Sequence, residues 1–212
     1  MAISSTLELR VNTKDAQKIL EIARETGALL EGEFTLASGK KSNHYFEGKR
    51  LTSSAEGAYR VGKVIFDELA DIDVDAVGGL AIGAYSIATA VAVVSHLEGK
   101  PIPSFIVREE PKQHGTRKKI EGHIKEGFRV VIVDDVITTG GSVNKAIDAV
   151  EALNCKVVKV IVLVDRHEGG SDKLKEAGYD FSSIIDLWPT GKVTIGKPSE
   201  VTREVREGIL PR

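Results

Sequence analysis

Apolar positions recur along this chain with two different periods, and the places where the period changes mark its elements. Between Lys14 and Thr26 the residues Ala16, Ile19, Leu20 and Ala23 share one side of a helix, and Gly27 supplies a stop. A second helix follows Ser53, which with Glu56 has the spacing of a capping box; Val61, Val64, Ile65 and Leu69 form its apolar side. Beyond it, short runs rich in β-branched residues alternate with longer segments of helical spacing. Val74 to Val77, Ile102 to Val107, Val130 to Val133 and Val157 to Val164 are predicted strands, with helices near Ile82 to His96 and Ser142 to Leu153. Strands apolar on both faces and separated by helices predict an α/β chain with a central, mostly parallel sheet flanked by helices.

The segment before about Thr52 stays outside this alternation. It is predicted to be a small N-terminal hood (about 1–51) on a core of about 52–190, with the whole chain, 1–212, forming one domain. Ala76 to Ser95 is free of charge and about as long as a membrane span of ~20 residues. Gly78, Gly79 and Gly83 break it into a strand, a turn and a helix instead. The stretch REEPKQHGTRKKIEGHIKEG, residues 108–127, is polar throughout, and a connection that long inside a compact domain predicts a mobile lid.

Composition narrows the partners. With 42% apolar residues, 28% charged residues and a formal charge of -2, the chain lacks the basic excess of a nucleic-acid or membrane coat. Cys155 is the only cysteine, so no internal disulfide can form, and a reducing cytoplasm is the expected compartment. The opening MAISSTLELRVNTKD meets Glu8, Arg10 and Lys14 before a long apolar core develops, so no secretory signal is expected.

The chemistry concentrates in VVIVDDVITTGG, Val130 to Gly141. In open α/β sheets ligands collect beyond the carboxyl ends of the strands, where Asp134 and Asp135 are expected. Ionised carboxylates only accept hydrogen bonds, and a ribose diol offers two donors. Thr138, Thr139, Gly140, Gly141 and Ser142 add hydroxyls and closely approachable N–H groups at a helix start, where the dipole favours an anion. Diol and phosphate together describe a ribose phosphate. Two plainer accounts compete: a strand closed by solvated acids with a Thr/Ser helix cap, and the acidic strand of a nucleotide hydrolase. The second needs GxxxxGK[S/T], whose spacing SGKKS (Ser38 to Ser42) does not meet.

The same twelve residues, continued by Ser142, resemble the phosphoribosyl-pyrophosphate (PRPP) fingerprint of type I phosphoribosyltransferases. FTLASGKKSNHYF (Phe34 to Phe46), VREEPKQHG (Val107 to Gly115) and VDRHEGG (Val164 to Gly170) narrow the likeness to the orotate phosphoribosyltransferases, over about residues 30–190. The resemblance implies the type I fold and transfer of the phosphoribosyl group from PRPP to orotate, with Mg²⁺ bound through PRPP. It implies that Asp134 and Asp135 take the ribose hydroxyls, that Thr138 to Ser142 wrap the 5′-phosphate, and that Val136 and Ile137 belong to the PRPP site. Arg166 and Thr138 would face the orotate carboxylate, and Tyr45 and Phe46 would lie against the flat pyrimidine. Arg108, Lys112 and His114 would reach the pyrophosphate from a loop that closes over the neighbouring subunit of a homodimer. No nucleic-acid or membrane partner is expected.

Many family members carry lysines where this chain has Ala37, Gly83 and Glu109, so three pyrophosphate cations are missing; Lys40, Lys41, Lys118 and Lys119 are the candidate replacements. A phosphoribosyltransferase for another base, and a nucleotide-sensing RNA-binding regulator on the same fold, are the alternatives, because fold alone does not fix function.

Overall fold

The computed structural model describes residues 13–35, 39, 41–110 and 119–196. Helix α1 (Thr13–Glu25) buries Ala16, Ile19 and Ala23, as their spacing predicts, and Gly27 turns the chain at φ +67°. Strands β1 (Leu29–Thr35) and β2 (Lys41–Phe46) then pair antiparallel in a two-stranded sheet of their own. The short helix α2 (Gly48–Thr52) leads into α3 (Ala55–Glu68). The cap falls one residue later than predicted. Ser53 ends α2, so Ser54 caps α3 by accepting from the Gly57 N–H at 3.1 Å, and Glu56 bonds Arg60 instead of reaching back.

The remaining elements are β3 (Ala76–Leu80), α4 (Gly83–Leu97), β4 (Ser104–Val107), β5 (Ile120–Gly122), β6 (Arg129–Ile137), α5 (Gly141–Glu151), β7 (Lys156–Asp165), α6 (Gly170–Glu176), β8 (Phe181–Leu187) and β9 (Val193–Ile195). Their sheet has the order β5-β4-β3-β6-β7-β8-β9. The four central pairings are parallel, and β5 and β9 run antiparallel at the edges. Strand β5 corrects the prediction of a structureless segment at 108–127. Its sequence carries one apolar residue, Ile120, and pairing with β4 supplies what local pattern does not. The charge-free stretch becomes β3 and α4, and no helix among the described residues is long and apolar enough to cross a membrane.

Alternation along β6 sorts its side chains between two cores. Val131 and Val133 pack with residues of α1, α3 and α4, whereas Val130 and Ile132 pack with Val143, Ala146, Ile147 and Val150 of α5. One charge sits deep on β7. Lys159, 1% exposed, reaches Asp180 at 2.9 Å and Glu68 at 3.2 Å, and Ser182 donates to Glu68 at 2.5 Å, joining the end of α3 to the start of β8.

Candidate active site

The strand order places a topological switch point between β3 and β6, because the chain moves outward from β3 to β4 on one side and from β6 to β7 on the other. Strand β3 pairs with β6 only as far as Gly78 opposite Ile132, while β6 continues beside β7 to Ile137 opposite Asp165. A crevice opens where β3 leaves, and both aspartates lie on its rim. They sit inside the strand rather than after it, so the pleat sends them to opposite faces. Asp134 points toward α5, accepting from the Ser142 hydroxyl at 2.5 Å and from the Asp135 N–H at 2.9 Å. Asp135 points toward α2, where a Cβ on Gly48 would lie 2.8 Å from its Oδ2.

Burial pushes the Asp134 carboxyl up to about 6, against the Ser142 hydrogen bond, and it raises Asp135 as well, with the nearby Lys49 charge opposing. Lys49 belongs to no motif along the chain, so only the fold singles it out. The folded chain therefore holds the Asp134 proton more tightly than the unfolded chain, whose value is ordinary. The cost of ionising it is absent below about pH 4 and complete above about pH 6. Asp134→Asn is expected to flatten the stability curve over that window and to raise stability at pH 7 by on the order of 1–2 kcal/mol. Urea unfolding from pH 4 to pH 7 measures it; a variant that followed the parent's pH dependence would contradict the assignment.

After Ile137 the chain makes the predicted bend. Gly140 has φ +88°, α5 starts at Gly141 with no side-chain cap, and its first helical bond runs from the Asn144 N–H to the Gly140 carbonyl. The Thr/Ser capping account fails here, since Ser142 spends its hydroxyl on Asp134. First-turn amides thus face the crevice rim beside Thr138 and the exposed Thr139. Gly170 supports the bend from beneath: its N–H bonds the Thr138 carbonyl at 2.9 Å, and a Cβ there would come within 2.5 Å of that oxygen. Ile137 is 1% exposed in the core and its carbonyl accepts from the Arg166 N–H. Val136 is partly buried against the other core.

The same Ile137–Arg166 bond sets Thr138 and Arg166 side by side at the ends of β6 and β7. Arg166 Nε lies 3.4 Å from Glu168, and its Nη2 donates to Ser42 of β2 at 2.8 Å. Tyr45 and Phe46, expected together on one flat ring, are divided by the strand's alternation. Phe46 joins the core on the face shared with His44, and Tyr45, 42% exposed, packs against Phe34 at 5.8 Å. Arg108 ends near β4, its N–H bonding the Lys119 carbonyl and its Nη1 3.4 Å from Glu121. Lys112 and His114 lie outside the described residues, as do Ala37, Lys40 and Lys118.

The two described departures have physical accounts. A Cβ on Gly83 would lie 2.6 Å from Asp135 Oδ1 and 2.7 Å from Asp134 Oδ1, so a lysine there would require both carboxylates to move. Glu109 accepts from Lys145 of α5 at 2.9 Å. Elsewhere Asp165, His167 and Asp186 lie close together, but Nδ1 of the imidazole faces Asp165 at 3.7 Å and Nε2 faces Asp186 at 3.4 Å. The ring stacks on Trp188 at 3.6 Å.

Comparison with known proteins fits this geometry. The sequence model of the phosphoribosyl transferase domain matches residues 50–191. An orotate phosphoribosyltransferase of a Nostoc species is 41% identical over 172 residues, 81% of this chain and 82% of that protein. The crystal structure of Mycobacterium tuberculosis orotate phosphoribosyltransferase with Fe(III) dicitrate superposes with a TM-score of 0.72 at 34% identity, covering 82% of this chain and 97% of that one. The complex of the M. tuberculosis enzyme with PRPP gives 0.65 at 30% identity, covering 82% and 90%. The chain belongs to the phosphoribosyltransferase family, among the orotate phosphoribosyltransferases.

Proposed function

We propose that the crevice between β3 and β6 transfers the 5-phosphoribosyl group of PRPP to N1 of orotate, releasing pyrophosphate and giving orotidine 5′-monophosphate for pyrimidine biosynthesis. The observation that carries this reading is the neighbouring pair Asp134 and Asp135 beside an uncapped helix start, with Arg166 one strand away. The pair accepts from the ribose hydroxyls. The N–H groups and hydroxyls of Thr138 to Ser142 hold the 5′-phosphate. Arg166 and Thr138 face the orotate carboxylate, and the face of β2 that carries Phe46 covers the base. Arg108, Lys112 and His114 attend the pyrophosphate. As the C1–pyrophosphate bond breaks, positive charge grows on the sugar and negative charge on the leaving group, so these cations favour the transition state over the ground state. A closed loop also keeps water from the reactive carbon.

The site suits a divalent cation carried by the substrate. Two carboxylates with raised pKa line the rim, with Lys49 the cation acting on Asp135. Mg²⁺ on the pyrophosphate and ribose oxygens would add positive charge against the leaving group. Incubating the protein with PRPP, Mg²⁺ and a panel of bases tests the reaction. Orotate absorbance is expected to change while uracil and purine spectra stay fixed; an unchanged orotate spectrum beside a changed purine one would assign another base.

The chain acts as one domain, with a hood over about 1–51, a core over about 52–190 and a catalytic loop at 108–127, in the cytoplasm. It works as a homodimer whose loop serves the neighbouring subunit. Exposed Ile82, Tyr85, Val93 and Leu97 support the dimer, since their spacing places them along one side of α4 and its start. Mixing a Lys112→Ala chain with an Asp135→Asn chain is expected to restore part of the activity that each lacks. No rescue under demonstrated subunit exchange would argue against shared sites.

A further inference from the structure

We infer that Ser42 is a positioning residue for Arg166: its hydroxyl holds the guanidinium in register for the carboxylate of the base and ties the β1–β2 hairpin to the rim of the main sheet. The inference rests on the reading of Arg166 as the orotate contact.

Ser42 and Arg166 are 124 positions apart and stand on different sheets, yet Arg166 Nη2 lies 2.8 Å from Ser42 Oγ. The hydroxyl is already fixed by its own strand. It donates to the His44 carbonyl at 2.8 Å and accepts from the His44 N–H at 3.1 Å. With its one proton spent on that carbonyl, Ser42 has only acceptor capacity to offer, so its partner must be a donor. A guanidinium meets that need and a substrate carboxylate does not. Ser42 therefore acts through Arg166 and does not contact the anion itself.

The way Arg166 is held also defines what remains. Its Nε lies toward Glu168 and its Nη2 toward Ser42, two groups on the same edge of the planar fork. Neither of these contacts engages Nη1. The end of the fork that includes Nη1 is left to take a carboxylate, the geometry in which arginine outperforms lysine. The side chain is 11% exposed, so few water molecules compete and a loss of alignment is felt directly in recognition. Removing Ser42 Oγ frees the Nη2 side, and the guanidinium can swing toward Glu168.

Steady-state assays of the full chain test this, with orotate varied at saturating PRPP and PRPP varied at saturating orotate. Ser42→Ala is expected to raise KM for orotate on the order of tenfold, the size of losing one hydrogen bond to a charged group, and to leave KM for PRPP unchanged. Ser42→Thr, which keeps the hydroxyl, is expected to restore the parental value. Adding Ser42→Ala to an Arg166→Ala chain should raise KM for orotate no further. A merely structural role would shift both substrates together and persist in the Arg166→Ala background, and either result overturns the inference. So does a Ser42→Ala chain with the parental KM for orotate. A parent chain that left orotate untouched would remove the assigned reaction itself, which the parental control reads separately. Should Ser42→Ala fold poorly, Ser42→Cys, a weaker acceptor of similar size, is expected to give an intermediate KM for orotate, and a parental value there overturns the inference.

Discussion

Chains carrying Lys112→Ala or His114→Ala are expected to fold as the parent does and to turn over more slowly by roughly 2–4 kcal/mol in barrier, the size of removing one oriented donor to developing charge. Charge accumulates on the departing pyrophosphate, and an oriented cation there favours the transition state over the ground state. The frame of the loop explains why folding should survive. Strands β4 and β5 form a ladder through Val107 and Ile120, and the Arg108 N–H bonds the Lys119 carbonyl at 2.9 Å, so the described backbone on either side of the substituted positions is anchored at the sheet edge. The Glu109–Lys145 pair that holds the first arm against α5 is solvent-exposed and correspondingly weak, leaving the arm able to exchange partners. Turnover with PRPP and orotate, alongside thermal unfolding, decides the matter: parental rates in both variants would remove the loop from the chemistry.

Lys159→Ala is expected to destabilise the fold by about 3–5 kcal/mol, the cost of leaving buried carboxylates without their cation. Lys159 is shut between Glu68 and Asp180, at 3.2 and 2.9 Å, and Ser182 adds a hydrogen bond to Glu68. An alanine cannot replace the ammonium, and Glu68, with only 10% of its side chain exposed, has little water to turn to. Urea unfolding at pH 7 reads the loss as a lower midpoint at constant slope. A loss below about 1 kcal/mol would mean that solvent reaches the network and that the burial seen here overstates its isolation. Catalytic constants measured on the surviving folded fraction should change little, because the network lies among α3, β7 and β8 and away from the crevice.

Reading the sequence located most helices and the central strands, because buried runs and amphipathic stripes are local patterns. It missed the helices α2 and α6 and the strands β1, β2, β5, β8 and β9. In β8 the buried Ser182 and Asp186 and the half-buried Ser183 interrupt the apolar run, and only their partners, Glu68 for Ser182 and each other for Ser183 and Asp186, make those polar groups tolerable. Lys159 was invisible for the same reason: a lysine in a strand is buried only if two carboxylates from distant segments meet it. The fingerprint was legible in residue type. Its geometry was not, since Gly48 and Lys49 act on it from a segment that carries no motif of its own.

What the chain determines by itself is chemistry: an acid pair at the end of an apolar strand, followed by a glycine-rich bend that opens a helix. Local spacing suffices because these groups are consecutive. The tertiary structure decided which strands flank that pair, and so where the crevice opens; it sent Asp134 and Asp135 to opposite faces, placed Gly83 too close to both for a side chain, and brought Ser42 to Arg166. Each of those outcomes depends on strand order and on packing between distant segments, which the run of residues along a single element does not encode.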